Sequence, residues 1–196
     1  MKYEAIVIGV SAGGMDALSR VLPRLPDDFA LPIIIVQHMD PNSRDYLSNH
    51  LDRKCNIQVK EAEDKENIMD GVAYIAPPNY HLLLEEDRTL SLSVDDLVNY
   101  SRPSIDVMFE TAADVYERRL VGVVLTGANA DGSKGLTKVK ALGGLAVVQD
   151  PATAQVDYMP KAAIASTRVD HILSLEKIAS LFTELSNSSR ADEMKP

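Results

Sequence analysis

The stretch Ala5-Ile6-Val7-Ile8-Gly9-Val10-Ser11-Ala12-Gly13-Gly14, close to the start of the chain, decides the fold. Its first part is apolar and β-branched without alternation, the pattern of a strand buried on both faces in a parallel sheet. The glycines then break the strand. Beyond them Met15, Leu18, Val21 and Leu22 recur at helical spacing until Pro23 stops the helix. Strand, glycine turn and helix in that order open a βαβ unit.

The same alternation continues outward. Residues 31–36 form a second fully apolar run, and a helix is expected from near Ser43 with Tyr46, Leu47, His50 and Leu51 on its inner face. Short strands are predicted at residues 57–59 and 72–75. Between His81 and Val94 the pattern changes: Leu82-Leu83-Leu84, a polar turn and the alternating Leu90-Ser91-Leu92-Ser93 describe an antiparallel hairpin. Ser104 is placed to cap a long helix carrying Ile105, Met108, Phe109, Ala112 and Tyr116 on one face. Residues 120–126 form the next buried strand, and 127–132 a loop. A helix follows with Leu136, Val139 and Leu142, stopped by Gly143-Gly144, and then a strand at 145–148. The last helix carries Ile178, Leu181, Phe182 and Leu185. The expected architecture is α/β, a doubly wound and mostly parallel sheet with an appended antiparallel hairpin. One domain is expected over residues 1–186, with a flexible polar tail over 187–196.

Bulk properties narrow the function. A chain of 196 residues can bury one sizeable core, and 45% hydrophobic with 25% charged residues is ordinary for a globular protein. A net charge of -9 argues against broad nucleic-acid binding and against adhesion to anionic lipid. The single Cys55 excludes an intrachain disulfide and the usual zinc clusters, and reads as a small buried apolar residue. With no secretory leader pattern and no long apolar run, the expected location is cytoplasmic, without membrane insertion.

Doubly wound sheets bind ligands outside the carboxyl ends of their strands. The first strand delivers Ser11 there, the second delivers Gln37-His38, and the strand ending at Thr126 delivers the loop Gly127-Ala128-Asn129-Ala130-Asp131-Gly132. Serine, histidine and aspartate are the nucleophile, general base and orienting acid of a hydrolytic triad. A serine hydroxyl is a weak nucleophile at neutral pH and needs an imidazole to take its proton, worth about 10²–10⁴-fold. Gly9-x-Ser11-x-Gly13 also fits the Gly-x-Ser-x-Gly elbow, although the order Ser, His, Asp differs from that of the α/β-hydrolases.

The rival reading is a phosphate loop of a nucleotide-binding or scaffolding module on a Rossmann-like fold. That reading wants a ribose-binding acid at the end of the second strand, where this chain has Gln37-His38. Asp106, Asp150 and Asp157 compete with Asp131 for the acid's role. His50, His81 and His171 read as structural or surface residues, and the methionines, Met39 and Met159 among them, as packing.

On these residues the chain resembles the catalytic domain of CheB-type protein-glutamate methylesterases of bacterial chemotaxis, over nearly its whole length. The resemblance is carried by Ile8-Gly9-Val10-Ser11-Ala12-Gly13-Gly14, Val36-Gln37-His38-Met39, Val59-Lys60-Glu61-Ala62-Glu63-Asp64, Ala73-Tyr74-Ile75-Ala76-Pro77, Arg102-Pro103-Ser104-Ile105-Asp106-Val107, Val124-Leu125-Thr126-Gly127 with Asp131-Gly132, and Met159-Pro160-Lys161-Ala162-Ala163-Ile164. It implies Ser11, His38 and Asp131 as the triad. The implied reaction is hydrolysis of γ-methyl glutamate esters on receptor helices, and in some members deamidation of receptor glutamine, without metal or cofactor. Ala12 and Ala128 amides are the oxyanion candidates, and Arg102, Met159 and Lys161 the candidate substrate rim.

Two departures accompany the resemblance. The loop before the aspartate commonly reads Gly-Met-Gly-x-Asp-Gly, whereas here Ala128 removes a side chain and Asn129 replaces a glycine. Such enzymes also commonly carry an N-terminal receiver domain, for which the early first strand leaves no room. The expectation is a stand-alone ungated form, with a receiver acting in trans as a further partner, or a piece of a longer protein.

Overall fold

The structure, a computed structural model, describes residues 3–39 and 46–193. Seven strands form one sheet: β1 (Ala5–Val10), β2 (Ile33–Gln37), β3 (Gln58–Glu61), β4 (Val72–Ile75), β7 (Leu120–Val124), β8 (Leu145–Gln149) and β9 (His171–Leu173). Their order is β3-β4-β2-β1-β7-β8-β9, and every neighbouring pair is parallel. The hairpin lies apart as β5 (His81–Leu84) and β6 (Leu90–Ser93), paired antiparallel with Leu82 opposite Leu92.

Helices cover both faces, which is why the central strands are apolar throughout. On one face α1 (Gly14–Val21), α2 (Tyr46–Asp52) and α6 (Leu175–Glu193) pack on Ile6, Ile8 and Val10 of β1. On the other, α3 (Ile105–Tyr116), α4 (Ser133–Ala141), α5 (Tyr158–Ser166) and the hairpin pack on Ala5 and Val7. Full burial of an Ile or Val side chain contributes roughly 1.5–3 kcal/mol, so the all-buried β1 and β2 hold the sheet's centre.

The chain leaves β1 through α1 to reach β2 on one side, and leaves β7 through α4 to reach β8 on the other. The crevice of the sheet therefore opens between the carboxyl ends of β1 and β7.

Several expectations change in detail. Met15, Tyr46 and Leu142, expected on inner faces, are exposed; Tyr46 instead stacks on His50 with ring centroids 5.9 Å apart. The helix start expected near Ser43 lies outside the described residues. Two elements were not anticipated. α5 has little apolar periodicity and contains Pro160 in its first turn, where a missing N–H costs nothing. β9 is three residues long, with Ile172 exposed on the sheet edge. The tail expected to fray from Asn187 instead continues α6 to Glu193. Two serines near its end face inward: the Ala30 amide donates to Ser186 Oγ at 2.8 Å, and Ser189 Oγ donates to the Tyr3 carbonyl at 2.8 Å. Among the described residues no helix is long and apolar enough to cross a membrane.

Candidate active site

Ser11 is the first residue beyond β1, in a turn that three neighbours hold. Its amide donates to the Thr126 carbonyl at 3.0 Å, and its carbonyl accepts from the Gly14 amide and Gln37 Nε2, both at 2.9 Å. Thr126 Oγ donates to the Ala12 carbonyl at 2.8 Å and accepts the Val156 amide at 2.9 Å. Gly13 has φ of +83°, and a Cβ there would press on Gln155, so the turn requires glycine. The Ala12 and Ala128 amides have no protein partner among the described residues, whereas the Gly127 amide bonds the Val156 carbonyl at 3.0 Å. Both alanines are exposed.

His38 leaves β2 beside Ser11. Val10 pairs with Gln37 in the ladder, and the His38 amide donates to the Val10 carbonyl at 3.0 Å. Adjacent strands lie about 4.8 Å apart, so the two residues emerge side by side. Gln37 Nε2 also donates to the His38 carbonyl at 2.7 Å and steadies the strand end.

Asp131 arrives from the loop between β7 and α4 and is 1% exposed. Its Oδ2 lies 2.9 Å from His38 Nε2 and accepts the Ile105 amide at 2.7 Å. Its Oδ1 accepts Asn99 Nδ2 at 2.9 Å, Ser104 Oγ at 3.0 Å and the Asp106 amide at 3.1 Å. Ser104 was expected to cap α3 with its own side chain. It makes no such bond, and the carboxylate of Asp131 caps that helix from another loop. Burial alone would raise the Asp131 carboxyl, but the bonds from His38, Asn99 and the two amides outweigh it and hold it at about 2.

An ionised carboxylate only accepts hydrogen bonds, so His38 carries its proton on Nε2 and Nδ1 is left as the lone pair. Asn129 Nδ2 lies 3.3 Å from that nitrogen, and Asn129 Oδ1 accepts the Asp131 amide at 3.1 Å. Among the described residues no hydrogen bond joins the Ser11 hydroxyl to His38. A cavity of about 290 Å³ beside Ser11 is lined by Met15, Gln37, Met39, Leu47 and Gln155. A second of about 310 Å³ beside His38 is lined by Met39, Asn79, Leu97, Tyr100 and Arg102.

The competing acids are engaged elsewhere. Asp106 Oδ1 accepts the Gly135 amide at 2.8 Å, and its Oδ2 accepts Asn99 Nδ2 at 2.9 Å. Asp150 caps the short turn after β8 through the Ala152 amide at 3.0 Å, and Asp157 pairs with Lys161. His81 is structural: its Nδ1 accepts the Ser104 amide at 3.1 Å, and its Nε2 bonds the Asp96 carbonyl at 3.0 Å. Burial pushes the Cys55 thiol up to about 11, so it is no thiolate at neutral pH.

At the candidate rim, Arg102 Nη1 donates to the Val94 and Asp95 carbonyls at 2.7 and 2.9 Å and ties down the loop before α3. Of the two expectations for Met159, the rim is corrected and packing holds: it is 0% exposed and lies against Gly127, supporting the loop. Three supporting residues escaped the sequence reading. Gln37 and Thr126 were visible as polar residues ending apolar strands. Asn99, which bridges Asp106 and Asp131, sits in an irregular segment with no periodic pattern to mark it.

The sequence profile of CheB methylesterase matches residues 6–182. A Leptospira interrogans relative is 58% identical over 189 residues, covering 96% of this chain and 98% of that one. A Thermotoga maritima protein named protein-glutamate methylesterase/protein-glutamine glutaminase is 39% identical over 185 residues, covering 93% of this chain and 54% of that one. The chain thus spans about half the length of that relative, and of a Desulfotalea psychrophila protein of the same name, matched over 50% of its length. The crystal structure of the Thermotoga maritima CheB methylesterase catalytic domain superposes with a TM-score of 0.91 at 38% identity, over 94% of this chain and 100% of that chain. The chain belongs to the CheB methylesterase family.

Proposed function

We propose that the chain hydrolyses γ-methyl glutamate esters on chemoreceptor helices through an acyl-enzyme on Ser11, and deamidates receptor glutamine by the same route. The observation that carries this reading is the 2.9 Å bond between His38 Nε2 and an ionised Asp131, at the strand end beside Ser11. With Nε2 bonded to Asp131, the Nδ1 lone pair takes the Ser11 proton as Oγ attacks the ester carbonyl carbon. The resulting oxyanion is received by the Ala12 and Ala128 amides, each such donor being worth about 10²–10³-fold. Collapse breaks the C–O bond to the methoxy group, which leaves as methanol with the proton from His38. Water then attacks the acyl-enzyme with His38 again as base, releasing glutamate and restoring Ser11. With glutamine the leaving group is ammonia.

Nothing in the geometry favours the nucleotide-binding alternative, since the position that would hold a ribose is filled by an imidazole bonded to Asp131. Methanol release from methylated receptor tests the proposal. Ser11→Ala is expected to lose at least about 10³-fold, leaving only binding and oxyanion contributions. Unchanged turnover in that variant would refute it.

A further inference from the structure

We infer that Asn129 is a positioning residue that holds the base nitrogen of His38 in reserve, occupying Nδ1 until the Ser11 hydroxyl displaces it. The inference rests on the proposed role of His38 as the base that takes the Ser11 proton.

The orientation of the Asn129 amide is fixed by its other end. Oδ1 accepts the Asp131 amide at 3.1 Å, so it is the NH2 group that faces His38 Nδ1 at 3.3 Å. His38 Nε2 is committed to Asp131 at 2.9 Å, which leaves Nδ1 as the only ring atom able to accept a proton. That nitrogen has one lone pair. Asn129 and the Ser11 hydroxyl therefore compete for the same acceptor, and no hydrogen bond joins Ser11 to His38 among the described residues. Asn129 is itself half-buried, with exposed Ala128 and Ala130 on either side, so its side chain borders solvent into which the amide can swing. Once Nδ1 is protonated, two donors face each other and the Asn129 amide must leave. Asn129 thus slows acylation without touching the ester.

A neutral hydrogen bond of this length is worth about two- to tenfold in population, which sets the expected effect. The charged groups around the ring among the described residues are Asp131, with Asp106 behind it, and Arg102 across the neighbouring cavity. Asn129→Ser adds no charge to this set, whereas Asn129→Asp adds a carboxylate facing the ring.

The test is the acylation burst of the whole chain with p-nitrophenyl acetate, a small neutral ester. In Asn129→Ser the hydroxyl can still accept the Asp131 amide in a serine turn but is too short to reach Nδ1. Its burst is expected to be about two- to tenfold faster than wild type, with KM unchanged. The 15N resonance of His38 Nδ1 should move towards that of a free ring nitrogen. Asn129→Asp keeps size and turn but presents an acceptor to Nδ1, drawing a proton there and slowing the burst. A burst in Asn129→Ser no faster than wild type, at unchanged melting temperature, overturns the inference, as does an Asn129→Asp burst equal to wild type. If Ser11→Ala and His38→Ala retain the burst, it is the proposed chemistry that fails. If both lose it and Asn129→Ser brings no gain, only the reserve role fails.

Discussion

The carboxylate of Asp131 serves an imidazole and a helix together, and its hold on its proton reflects both. It accepts bonds from His38, Asn99, Ser104 and the first two amides of α3, and stays ionised down to about pH 2. An unfolded aspartate titrates near about 3.9. A carboxyl depressed in the folded state adds stability that is complete above its unfolded value and lost as pH falls through its folded one. The contribution is on the order of 2 kcal/mol, lost between about pH 4 and about pH 2. Asp106 works in the opposite sense, since burial, with the charge of Asp131 adding, pushes its carboxyl up. Urea midpoints are expected to fall over that acid range in the wild type and to fall less in Asp131→Asn. Parallel curves would show that the depressed carboxyl is not the source. The places of Ser11, His38 and Asp131 were legible in the sequence because each follows a buried apolar strand, which fixes where it must emerge. That of Asn99 was not, because it depends on a loop whose path is set by Arg102 and the hairpin.

At the scale of elements, α3 and α4 meet closely behind the site. A Cβ on Gly135 would collide with the Phe109 side chain, so only glycine lets the helices approach this closely. The same residue donates its amide to Asp106 Oδ1 at 2.8 Å. Gly135→Ala is expected to lower stability by about 1–3 kcal/mol through overpacking, measured by urea unfolding. Esterase activity should fall with it, because Asp106 shares Asn99 with Asp131. A variant as stable as wild type would mean that the helices separate freely. Strong periodicity made α1, α3, α4 and α6 legible. It failed for α5 and for the end of α6, where alanine and serine side chains bury without announcing a face.

For the molecule as a whole, one charge property reaches beyond the cleft. The chain carries a net charge of -9, and near the candidate rim Lys161 is paired with Asp157. A receptor segment of net negative charge would therefore be repelled on approach, and screening should help it. Raising ionic strength from about 20 to about 200 mM is expected to raise kcat/KM on such a segment while leaving p-nitrophenyl acetate hydrolysis flat. A fall with salt would show instead that basic residues steer the encounter. The parallel sheet and its separate hairpin were legible because unbroken apolar strands alternate with helices, and one polar turn interrupts that alternation. The cap on α3, by contrast, arises only when distant segments meet. Because the Asp131 carboxylate accepts the Ile105 and Asp106 amides at 2.7 and 3.1 Å, those two protons act as gauges of its charge. A heteronuclear spectrum recorded through an acid titration would register the loss of that carboxylate's ionisation on two backbone crosspeaks, with no label on the carboxylate itself.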